Sequence, residues 1–143
     1  MFRVAGLLLI LFFLQSNCIG QNPIIDSLKK ALSKAESAKE KSDLLHSLAS
    51  EEWDYDFETG RAHALQALEL AKQANYNLGQ AQALTDLGLH AYFTGDYEGA
   101  MAYYKRALKA AGSNNFGDFP GYTYTRIGNL YRVQARFDSA EFY

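Results

Sequence analysis

Laid on itself with Gly88 over Gly128, the chain falls into register at a spacing of 40 residues. Leu84 lands on Tyr124, Leu87 on Ile127, Tyr97 on Phe137, Ala100 on Ala140 and Tyr103 on Tyr143. Small residues match small ones, and aromatic residues mostly match aromatic or large apolar ones. A period of this length constrains a chain severely. Each copy is one supersecondary unit that can bury its apolar face only against its neighbours.

Within 81–108 the large apolar residues recur at steps of three and four, with a break at Thr94-Gly95-Asp96. That pattern predicts two amphipathic helices joined by a tight turn. Gly95 suits a left-handed helix end, and Asp96 suits the N-cap of the next helix. Gly88 and Ala100 are expected where the two helices cross, because only small side chains let the backbones approach closely. Tyr97 and Tyr104 fill the space beside them.

The series Leu87-Gly88, Gly95, Tyr97, Ala100, Tyr104 and Ala107-Leu108 resembles the tetratricopeptide repeat family in residue type and spacing. A further copy opens at Gly121, with Tyr124, Ile127-Gly128, Tyr131, Phe137 and Ala140 in the corresponding places. There Ala135 replaces the turn glycine and Arg136 is a poor N-cap, so this turn is expected to be the weaker one. A more divergent copy precedes both. Leu45, Leu48 and Ala49 stand for its first helix, and Ala64, Ala67 and Leu68 for its second. Its link is one residue short, and Gly60 stands at the small crossing position. Ahead of it, Ile25, Leu28, Leu32 and Ala35 share one helical face behind Pro23, which predicts a leading helix. The period exceeds the family's usual value of about 34. Residues 74–77 and 112–117 are read as lengthened links.

The resemblance implies an all-α fold, a right-handed superhelical solenoid of antiparallel helix pairs. On this reading, residues 1–20 are a signal peptide and 21–41 a leading helix or cap. A divergent repeat occupies 42–80, a repeat 81–120 and an incomplete repeat 121–143. Tyr143 stops one residue short of the position matching Tyr104, so the expectation is that the chain is the N-terminal part of a longer protein.

At the N-terminus, Arg3 precedes the apolar run Val4 to Leu14, and Cys18-Ile19-Gly20 ends in a small residue, the pattern of a secretory leader cleaved before Gln21. Gln15, Ser16 and Asn17 end the run well short of the roughly 20 residues a membrane span needs. Cys18 is the only cysteine. Its surroundings match a lipoprotein signal poorly, and its removal with the leader leaves neither a disulfide nor a thiolate metal site. With Arg3 removed, 13 of the 14 Lys and Arg face 16 Asp and Glu, a balance of minus three. Such a balance argues against a nucleic-acid partner.

Catalytic and metal motifs are not evident. His46, His63 and His90 have no second ligand at a suitable spacing and read as partly exposed surface or groove residues. Glu51, Glu52, Asp54, Asp56 and Glu58 crowd around Trp53, Tyr55 and Phe57 without the ligand order of a calcium loop, and read as carboxylates facing water. The glycines at 112, 117 and 121 lack the context of a phosphate loop. No catalytic residue, cofactor or metal is assigned.

The resemblance further implies that the first helix of each pair lines a concave groove in which a protein or peptide lies. The outward positions of those helices are His46, Ser50 and Trp53; Gln82, Thr85, Leu89, Tyr92 and Phe93; and Tyr122, Thr125, Asn129 and Arg132. Aromatic and arginine side chains are the usual anchors of interfaces. The functional expectation is an exported, periplasmic or envelope-associated binding module. It is similar to the extracytoplasmic input regions of bacterial sensor histidine kinases. The alternative is a stand-alone exported scaffold for envelope complexes.

Overall fold

A computed structural model describes residues 22–112, 117 and 119–140, residues 136–140 by backbone alone. The signal-peptide, Cys18 and Tyr143 readings lie outside the described residues. Among the described residues six helices follow one another and no strand forms: α1 (Pro23–Leu32), α2 (Ala38–Glu52), α3 (Phe57–Gln73), α4 (Asn77–Phe93), α5 (Tyr97–Ala111) and α6 (Phe119–Ala140).

Local chemistry sets most of the helix ends. Asn22 caps α1 through a bond from the Ile24 N–H (3.0 Å), and Pro23 occupies the first turn, where its missing N–H costs nothing. Ser37 caps α2 through Glu40 N–H, Asp56 caps α3 through Thr59 N–H, and Asp96 caps α5 through Gly99 N–H at 2.8 Å. Helix α4 ends as its sequence predicts. Gly95 adopts φ +83°, the Asp96 N–H donates to Ala91 O, and the Gly95 N–H donates to Tyr92 O. The turn after α3 repeats this motif with Asn75 at φ 51°. That turn needs only residues 74–76, so Asn77 belongs to α4 and the expected long link at 74–77 is a tight turn.

Each helix packs on its neighbours in sequence, and α2 also packs on α4 and α4 on α6. Links of three or four residues between extensively packed helices make α2–α3, α3–α4 and α4–α5 antiparallel hairpins. One core gathers Leu45, Leu48, Leu68, Leu84 and Leu87 with interleaved alanines, and Ile25, Leu28 and Leu32 of α1 close its open end. A second gathers Ala91, Ala100, Tyr104 and Leu130. Full burial of Leu48 and of Leu130 stabilises the fold by about 1.5–3 kcal/mol each. The Ser42 hydroxyl, also fully buried, donates to Ala67 O (3.0 Å) and so ties α2 to α3 without leaving a polar atom unpaired.

The small crossing positions are close-packed. A Cβ at Gly88 would stand 2.5 Å from the Tyr104 ring, and one at Gly60 would stand 3.1 Å from Ala49 O. Two expectations need correction. The link in the first pair spans 53–56 against 94–96 in the next, so it is one residue longer rather than shorter. In the last copy no turn forms at Ala135-Arg136, because neither a glycine nor a capping side chain is there to end the helix, and α6 runs straight through. In the preceding pair α5 folds back over Leu84 and Gly88; among the described residues nothing folds back over Tyr124 and Gly128. Both are exposed, and a Cβ at Gly128 would meet open space.

Candidate functional site

Helices α2, α4 and α6 lie side by side, and two abutting clefts run between them. One, of about 250 Å³, is walled by Trp53 and Ala49 of α2, Gly60, Arg61 and Ala64 of α3, Leu89 and Phe93 of α4, and Arg126 of α6. The other, of about 380 Å³, is walled by His46, Gln82, Thr85 and Phe119. Ser50, Asp86 and Tyr122 line both. Together they form one groove.

Residues one sequence period apart meet across this groove. His46 on α2, Asp86 on α4 and Arg126 on α6 occupy equivalent positions at the 40-residue spacing. His46 Nδ1 lies 2.6 Å from Asp86 Oδ2. Burial pulls the His46 imidazole down, but the hydrogen bond and charge of Asp86, with Asp43 adding its own charge, outweigh it and raise His46 above its ordinary 6.5. Burial pushes the Asp86 carboxyl up, against the opposing pull of His46 and of the Arg126 charge. Arg126 donates to the Tyr122 hydroxyl, and its guanidinium carbon lies 4.7 Å from that ring's centroid. A second pair at the same spacing, Trp53 and Phe93, meets edge-to-face at 4.9 Å.

Behind this aromatic end, Phe57 packs edge-on against Trp53 and stacks on His90 at 4.1 Å. Burial lowers the His90 pKa more than the charge of nearby Glu58 raises it. The His90 Nε2–Glu58 Oε1 distance of 3.5 Å allows a charge interaction but not a well-formed hydrogen bond, and Nε2 has no other hydrogen-bond partner among the described residues. Phe93 remains 60% exposed and Tyr122 50%.

Eight of the twelve groove residues named from sequence line these clefts: His46, Ser50, Trp53, Gln82, Thr85, Leu89, Phe93 and Tyr122. The other four do not. Tyr92 turns into the second core against Phe93 and Tyr97. The exposed Thr125 hydroxyl bonds back to Gly121 O, and Asn129 and Arg132 lie outside both clefts. On α6 the cleft residues are Phe119, Tyr122 and Arg126, so the later positions Asn129 and Arg132, one period on from Leu89 and Tyr92, lie beyond the groove. Sequence reasoning missed Asp86, Arg126 and Arg61. The first two were signalled by their 40-residue offsets from His46; for Arg61, on the second helix of its pair, no such signal exists.

The three histidines are partly exposed, as expected, and His46 lines the groove; each also faces a carboxylate on another helix: His46 with Asp86, His63 with Glu52 and His90 with Glu58. The acids differ from expectation. The carboxylates around Trp53 do not all face water. Glu52 is 2% exposed and bridges Lys29 Nζ (3.1 Å) and His63 Nδ1 (2.5 Å), joining α1, α2 and α3. Asp54, Asp56 and Glu58 are exposed.

Among the described residues, no group of three His, Cys, Asp or Glu side chains is arranged to hold a metal, and no helix is long and apolar enough to cross a membrane. No family model, curated protein or solved structure matches the chain.

Proposed function

We propose that the protein is a binding module whose groove along α2, α4 and α6 holds a segment of another protein. The helix pairs are read as tetratricopeptide-like repeats wound into a right-handed superhelical solenoid, with these three helices on its concave side. Supporting this are the residue pattern around Gly88, the Asp56 and Asp96 caps one period apart, and, among the described residues, packing between helices one or two places apart in sequence. The observation that carries the functional reading is the groove itself, in which Trp53, Phe93 and Tyr122 present aromatic surface beside Ser50, Asp86 and two arginines. Rigid aromatic anchors with a polar surround are what interface hot spots consist of.

The reading includes export, on the strength of residues 1–20, and a role as the extracytoplasmic input region of a signalling protein of the sensor histidine kinase type. No catalytic role is assigned to these residues. The test is a random peptide library displayed on phage and selected on the immobilised protein. Enriched peptides should bind the wild type and lose at least about tenfold in affinity toward a Phe93→Ala/Tyr122→Ala variant with unchanged helicity and melting. Equal binding to that variant sinks the groove reading.

A further inference from the structure

The charges on the groove walls do not cancel. The chain is net −2 at pH 7, yet the cleft residues include two arginines and one carboxylate. That carboxylate, Asp86, is already engaged by His46 at 2.6 Å and feels the charge of Arg126. Arg61 is exposed and forms no ion pair among the described residues. Arg126 spends one donor on Tyr122 and keeps the rest of its fork. Both arginines line the cleft that Phe93 and Trp53 also line.

Length and shape narrow the occupant. From Gln82 to Phe93, α4 rises roughly 17 Å, the reach of about five extended residues. The arginines border the cleft at the Trp53–Phe93 end, and the groove continues past Asp86 into the cleft at His46 and Phe119. An anionic group held by the arginines therefore lies toward the Trp53–Phe93 end, with the rest of the segment running on toward His46 and Phe119.

Resting on the groove reading above, we infer that the partner is an extended protein segment carrying an acidic side chain next to an aromatic or large apolar one. Arg61 and Arg126 hold the carboxylate from α3 and α6, and Trp53 and Phe93 cover the apolar neighbour. A guanidinium matches a carboxylate in a planar, two-bond geometry, and the surrounding rings exclude the water that would screen it.

The test uses the full chain and two peptides blocked at both termini, one alternating glutamate with phenylalanine and its glutamine counterpart, with affinities measured by fluorescence anisotropy. The glutamate peptide should bind roughly tenfold tighter, and the preference should shrink with added salt. It should vanish in Arg61→Gln/Arg126→Gln, whose helicity is checked by circular dichroism. If both peptides bind the wild type equally and both are lost in Phe93→Ala/Tyr122→Ala, the groove stands and the acidic class is wrong. If a glutamate preference survives in the double glutamine variant, or neither peptide binds, the inference is likewise overturned.

Discussion

His46 and Asp86 lie 40 residues apart in sequence and 2.6 Å apart in space, at equivalent positions of successive helix pairs. A periodic chain that stacks its copies places each residue beside its counterpart one period on, so one position becomes a column across the stack. Here the column reads histidine, aspartate, arginine, and it crosses the groove.

The first prediction concerns protonation. His46 titrates above 6.5 and His90 below it. A raised folded-state value adds stability that is complete below 6.5 and is lost as pH rises through the folded value. A lowered one makes stability fall as pH drops from 6.5 toward the folded value. Imidazole titration by NMR should show the two shifts with opposite sign. Asp86→Asn should bring His46 down, and His46→Gln and His90→Gln should tilt the stability–pH curve in opposite directions.

A second prediction separates two glycines that the sequence makes equivalent. Ala at Gly88 would push a Cβ to 2.5 Å from the ring of Tyr104, which is 1% exposed and has nowhere to move. Overpacking of this kind costs about 1–3 kcal/mol, against a helix-propensity gain of about 1 kcal/mol, so Gly88→Ala should lower the urea midpoint. Gly128→Ala meets no atom within 4 Å and should raise stability by up to about 1 kcal/mol.

Glu52 yields a third. Glu52→Ala strips Lys29 and His63 of their shared partner and leaves a void where the carboxylate stood. A loss of about 1–3 kcal/mol is expected, near the low end because Lys29 can return to water. Lys29→Ala, which removes a half-exposed cation, should cost below about 1 kcal/mol. Denaturant melts of the two variants check the ordering.

The fourth concerns a cap. Asp96→Ala removes the acceptor for Gly99 N–H and should cost about 1 kcal/mol. Asp96→Asn, which retains an acceptor, should recover most of it. Thermal melts followed by circular dichroism distinguish them.

The residues themselves determined the helices, the caps at Asn22, Asp56 and Asp96, the left-handed Gly95 and the tight crossing at Gly88. All but the last depend on contacts within about four residues, and the crossing is written in the 40-residue pattern. Even the straight course of α6 was legible in Ala135-Arg136, though repeat analogy argued for a turn. Only the tertiary structure decided that Glu52 is buried between Lys29 and His63, that each histidine meets a carboxylate, that Tyr92 turns inward, and that Arg61 and Arg126 share a cleft. Those relationships depend on how far each helix is rotated about its axis against the next. A helix tolerates that rotation at no cost to its own hydrogen bonds, so only packing between helices sets it.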